Sequence, residues 1–299
     1  MLEISNSFLF QTMLKSAVFL GLSAGMLGVF ISYQRRSIEI NALSAGSFVG
    51  TLLLFLLSSL GLSISPYIFS QVDKHIYSFT GSILGILIMI TILNILYKTN
   101  RLHPHIIQSL MTAVLLGVGI TLVTSIRQAG GALDSGIDVY LFGETTSLTD
   151  EEFYFLRIIT VTVIVLLLLF FRRLRVVIFN VDIAKTSHFH TMFYVHLINV
   201  FVVCLVALSV KLMGVFLAVS IFLIPAVTAR LWSNRLFPIT LLSGFFGGLG
   251  GGIGAVIAGN ISHVSSGISI TIVLSIMFFI SLLIAPYKGL LGVWLRGRK

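Results

Sequence analysis

The chain has 299 residues, 57% of them hydrophobic and only 10% charged, with a mean hydropathy of +1.08. A soluble domain usually carries about 25% charged residues, so this chain cannot cover a water-facing surface and reads as an integral membrane protein. Its formal charge of +9 argues little for nucleic acid, because cytoplasmic loops of membrane proteins gather Lys and Arg.

The single cysteine, Cys204, excludes an intramolecular disulfide and any CxxC metal or redox motif. At the N-terminus Glu3 and Lys15 precede the apolar run from about Ser16 to Tyr33, and Arg35–Arg36 follow it. A secretory signal has its positive charge first, so residues 14–33 read as a retained helix with its N-terminus outside. Crossing the hydrocarbon core takes roughly 20 apolar residues. Eight further runs qualify: 41–62, 76–97, 105–126, 157–173, 193–211, 213–230, 237–258 and 267–286, the seventh of the nine interrupted by Pro225. Lipid leaves no partner for open strand edges, so the fold class is all-α: a polytopic helical bundle of about nine transmembrane helices in one transmembrane domain, 1–299, with the C-terminus cytoplasmic.

Charge tests that topology. Segments 34–40, 98–104, 172–192, 231–236 and 287–299, with Arg230 at a span end, hold fourteen of the nineteen Lys and Arg. Of the ten acids only Glu39 and Asp182 lie there. The basic asymmetry satisfies the positive-inside rule at every cytoplasmic loop.

Two connecting segments are distinctive. The outer one, 127–153, carries most of the acids, turn glycines and the apolar stretch IDVYLF. The inner one, 174–191, follows Arg172 and Arg173 and continues as VDIAKTSHF, which suits either a short surface helix or a solvated connector. Small residues recur four apart at Gly21/Gly25, Gly244/Gly248 and Gly250/Gly254, a spacing that lets helices approach closely in lipid.

The chain has no GxxxxGK[ST] nucleotide loop and no HExxH metal motif. Ionisable residues inside a membrane are functional suspects, yet few lie at mid-span. His196 and Lys211 sit at opposite ends of one span. His103 and His105 flank Pro104, where a capping turn outweighs a metal pair. His188 and His190 lie in the inner segment, and His75 and His263 face outside. A proton- or sodium-coupled carrier would usually show a buried acid, which speaks against a secondary transporter or channel.

Several stretches together resemble the permease subunits of ABC importers for zinc, manganese and iron, the type II importer architecture. They are GMLGVFISYQRRSIEINALSAGSFVG (25–50), DVYLFGETTSLTDEEF (138–153), FNVDIAKTSHF (179–189), MGVFLAVSIFLIPAVTARLW (213–232) and SSGISITIVLSIMFFISLL (265–283). The most specific parts are Pro225–Ala226 with Ala229–Arg230, and Leu141–Phe142–Gly143. The resemblance implies that ATP is bound and hydrolysed by a separate cytoplasmic ABC ATPase, that this chain binds no cofactor, and that a second permease copy or a paralogous permease completes the pathway. It also implies an extracytoplasmic metal-binding protein above the outer segment, with Asp138, Phe142, Gly143 and Glu144 lining or gating the path. On the inner side, Asn180, Asp182, Ile183, Ala184 and Lys185 would dock the ATPase. The setting would be the bacterial inner membrane, in contact with lipid and not nucleic acid.

One departure stands out. In that family the second span opens with an Asp and a His four residues apart, a pair able to hold a divalent ion. The matching positions here are Asn41 and Ala45, beside Ser44. Three explanations follow, in order: a paralogous partner supplies the ligands; the ion crosses on Asn41, Ser44 and backbone carbonyls; or the substrate is not a simple divalent metal.

Overall fold

The computed structural model describes residues 8–34, 37–59, 71–99, 103–128, 143, 150–179, 191–261, 264–287 and 289. They form ten helices: α1 Phe8–Tyr33, α2 Ser37–Ser59, α3 Gln71–Thr99, α4 Pro104–Gln128, α5 Asp150–Leu169, α6 Phe171–Phe179, α7 Thr191–Met213, α8 Val215–Trp232, α9 Leu236–Asn260 and α10 Ser266–Ile284. There is no strand among the described residues, as expected where every backbone amide must be satisfied within its own segment. Eight of the helices are long and apolar enough to cross a membrane; the described apolar part of α8, Ala218–Trp232, is shorter.

Boundaries shift from those read in the sequence. α1, α3 and α5 begin earlier, at Phe8, Gln71 and Asp150. The start of α5 takes in Asp150, Glu151 and Glu152. The fifth span ends at Leu169 rather than at 173, and a turn at Phe170 leads into α6, a separate nine-residue helix.

The helices fall into two compact units. One comprises Met1–Arg36, Thr145–Leu205 and Ser220–Lys299; the other comprises Ser37–Glu144 and Val206–Val219. In the first, α1 packs along α9, and α9 also packs on α10. Glycine sets that approach: a Cβ on Gly21 would overlap the Gly247 carbonyl, and one on Gly251 would overlap that of Ala17. Ser243 Oγ donates to the Gly25 carbonyl at 2.6 Å. The small-residue spacings seen in the sequence are thus spent on contacts within one chain.

α8 joins the same unit where a Cβ on Gly28 would overlap the Phe222 carbonyl. Pro225 cannot donate to the Ile221 carbonyl, but the fully buried Ala226 and Ala229 let the helix stay close to its neighbours. At the end of α8, Arg230 Nη1 donates to Ser32 Oγ at 2.9 Å, and its guanidinium lies 4.4 Å from the Tyr33 ring centroid. The most specific sequence motif of the chain is therefore a packing device that ends in a latch to α1.

In the second unit α2 packs on both α3 and α4. Gly46 and Gly50 of α2 meet Gly81 and Gly85 of α3 backbone to backbone. A cluster of Ala42, Met89, Leu93 and Ile107 fills the space beside them. The Phe48 ring is keyed against Gly119 of α4.

Candidate functional site

The first turns of α2 hold the residues that the sequence singled out as a pathway wall. At 3.6 residues per turn, Ala42, Gly46 and Gly50 share one face, and that face is covered by α3. Ser44, Ser47 and Thr51 fall on another face, within about 60° of one another. Ser44 is 1% exposed and Ser47 and Ala45 are 0% exposed, whereas Asn41 is exposed.

The hydroxyls on that face are not equally satisfied. Thr51 Oγ1 donates to the Ser47 carbonyl at 2.9 Å and lies 2.8 Å from Ser82 Oγ. Ser44 Oγ and Ser47 Oγ are buried with no hydrogen-bond partner. Helical serines ordinarily bond the carbonyl four residues back, as Ser16 does to Thr12 at 2.7 Å. An orphaned buried hydroxyl costs about 1–3 kcal/mol, so two of them one turn apart are polar atoms left open to a transient partner. Oxygen ligands of this kind suit a passing hard or borderline cation without holding it tightly. In the sequence Ser47 stands only among the small and polar residues that open this span, not among the candidate pathway positions.

Of the four outer-segment candidates, Gly143 alone is described; Asp138, Phe142 and Glu144 lie outside the described residues. Gly143 is buried at φ +75°, and any Cβ there would overlap the backbone of Met213, the last residue of α7. The next residue, Gly214, has φ +79° and separates α7 from α8. Both positions lie in the left-handed region, which costs a residue with a side chain roughly 1–2 kcal/mol. Glycine at 143 is required by backbone packing.

Asn180, Asp182, Ile183, Ala184 and Lys185 lie outside the described residues, as do His188, His190 and His263. The stretch 174–179 that leads into them belongs to α6, where Phe171, Leu174 and Val177 are buried and Arg172 and Arg175 exposed. His103 forms a helix-start turn, its carbonyl accepting from Ile106 N at 2.9 Å; its side chain and that of His105 are exposed. His196 is also exposed. Among the described residues no three His, Cys, Asp or Glu side chains gather as a metal-ligand group.

Residues 5–285 match the family described as ABC 3 transport family. The manganese transport system membrane protein MntC of Bacillus subtilis (strain 168) is 26% identical over 280 residues, which is 94% of this chain but only 62% of that protein's length. The zinc transport system membrane protein TroC of Treponema pallidum (strain Nichols) is 24% identical over 299 residues, covering 100% of this chain and 96% of that protein. Among solved structures, PsaBC from Streptococcus pneumoniae in complex with Fab superposes with a TM-score of 0.81 at 23% identity, covering 99% of this chain and 97% of that one. With eight helices able to span a bilayer, these likenesses make it a multi-pass protein of the bacterial cytoplasmic membrane. The chain belongs to the ABC 3 transport family.

Proposed function

We propose that the chain is the permease subunit of an ATP-driven importer that moves a divalent transition metal (zinc, manganese or iron) into the cytoplasm. ATP is hydrolysed by a separate cytoplasmic ABC ATPase, and this chain has no nucleotide site or cofactor of its own. The observation that carries the reading is the end-to-end likeness to a zinc transport membrane protein of nearly the same length. The orphaned Ser44 and Ser47 hydroxyls support a pathway along α2. Asn41 adds an amide oxygen at its start, and Ala45 adds no donor. An extracytoplasmic metal-binding protein delivers the ion above the outer segment, where Asp138 and Glu144 attract cations. The ATPase docks on Asn180, Asp182, Ile183, Ala184 and Lys185.

The Asn41 and Ala45 pair favours one variant of this reading. A paralogous permease carrying the Asp and His completes a heterodimer, and this chain forms the wall without ligands. Purifying the tagged chain from detergent tests both forms. A P-loop ATPase should copurify, and radioactive zinc or manganese uptake should require it. Uptake that survives loss of the ATPase but stops when the proton gradient is collapsed would instead make the chain a secondary transporter. A single permease species in the complex would remove the heterodimer.

A further inference from the structure

At the basic end of the first unit, Arg175 of α6 and Asn234, Arg235, Leu236, Phe237 and Pro238 line a cavity of about 510 Å³. Phe237 of its wall belongs to a chain of three packed rings. Phe171 lies edge-on to Phe30 at 5.9 Å and to Phe237 at 5.2 Å, which fixes α6 against the start of α9. Arg175 follows Phe171 by one turn, and so lies on the same side of α6 as the ring that meets Phe237.

Arg173 is engaged elsewhere: it donates to Tyr194 Oη and stacks on that ring. Arg175 and Arg235 are exposed and stand about one cavity. Arg235 also occupies the N-cap of α9 and provides no side-chain cap, so the first-turn amides add their partial positive charge. Two guanidiniums facing one cavity call for an anion, and guanidinium geometry favours phosphate oxygens.

An apolar track leads away from this cavity. Phe237, Leu241, Phe245 and Leu249 are exposed at four-residue steps along α9, a span of about 18 Å at 1.5 Å per residue. Phe245 and Leu249 then border a groove of about 460 Å³, floored by Gly248 and Gly252 and walled across by Val18 and Leu22 of α1. A phosphate site continuous with an acyl-length apolar track matches one ligand class. We propose that this surface binds an anionic phospholipid of the leaflet at the basic end, with its phosphate between Arg175 and Arg235 and one acyl chain along Phe237–Leu249. The site depends on the chain's membrane setting alone and is independent of what the permease carries.

Native mass spectrometry of the full chain in mild detergent, titrated with phosphatidylglycerol, phosphatidylcholine or inorganic phosphate, tests it without any variant. Phosphatidylglycerol should be retained over phosphatidylcholine, and millimolar phosphate should not displace it. Equal retention of the two lipids, or displacement by phosphate alone, would overturn the lipid site. In the double variant Arg175→Gln/Arg235→Gln, retention of phosphatidylglycerol should fall about fivefold for each arginine removed. Arg172→Gln, outside the cavity, should leave it unchanged, and Arg175→Lys/Arg235→Lys should restore most of it. An equal loss in Arg172→Gln would reduce the effect to diffuse charge. Unchanged lipid retention in the double variant, with loss of the copurifying ATPase, would make the surface a protein contact and refute the proposal.

Discussion

Ser44 and Ser47, unlike Thr51 on the same face, have no hydrogen-bond partner. Each Ser→Ala change removes a buried unsatisfied group, so fold stability should hold or rise by about 1 kcal/mol, read as a raised unfolding temperature in detergent. Metal uptake in proteoliposomes should nonetheless fall, most in the double variant. Unchanged uptake would make the hydroxyls mere packing. The departure at Asn41 and Ala45 was legible in the sequence, because a missing carboxylate and imidazole are matters of residue type. The state of Ser47 was not legible, because whether a hydroxyl bonds its own helix depends on its rotamer and on neighbours from other helices. Gly143 stood out in the sequence as part of a segment near the pathway. Its dihedral angle and its contact with Met213 give it a second reason to be glycine, one that only the tertiary structure supplies.

At the scale of elements, apolar run length located the helices and misjudged their ends. The arginine trio at 172, 173 and 175 suggested the end of a span, followed by either a short surface helix or a connector. The apolar residues at 171, 174 and 177, three apart, carried the competing signal for a helix with one buried face. Nine residues between charged neighbours give that period little weight in a sequence. The glycine spacings were legible as close packing, but their partner was not: α1 meets α9 of the same chain. Two alanine substitutions separate packing from propensity. A Cβ on Gly117 of α4 meets nothing within 4 Å, so Gly117→Ala should stabilise by about 1 kcal/mol through helix propensity. Gly247→Ala forces α9 off α1 and should destabilise by about 1–3 kcal/mol, as overpacking does. Thermal unfolding of the two variants in the same detergent reads both; a Gly247→Ala protein as stable as the parent would contradict the close contact.

For the whole molecule, composition alone fixed the class, since so little charge cannot clothe a soluble surface. The positive-inside count predicts the orientation. A cytoplasm-active reporter fused after Lys299 should be active, and one inserted in 129–142 should be silent; the reverse pattern would invert the topology. The coupling assignment makes a prediction at the same scale. Asp182→Trp and Ala184→Trp should reduce copurification of the ATPase and uptake while leaving membrane insertion intact. Normal assembly in both would remove those residues from the docking surface. What the sequence could not supply was the division into two packed units. Residues 206–219 join a group of helices more than sixty positions earlier in the chain, and only long-range packing reveals that.

The seating of Gly143 on Met213 has a mechanical consequence. Gly143, which has no side chain, is seated on the last residue of α7, at the joint where α7 gives way to Gly214. A glycine in contact with bare backbone has no side chain to yield, so the contact acts as a rigid pin. Any displacement of the end of α7 must carry Gly143 along or tear the pin out. A shift of that helix end would therefore be felt at Gly143, within the segment proposed to receive the ion. Gly143→Ala should uncouple the two, with ATP hydrolysis by the assembled complex continuing while metal uptake falls; parallel loss of both, or of neither, would show that the pin transmits nothing.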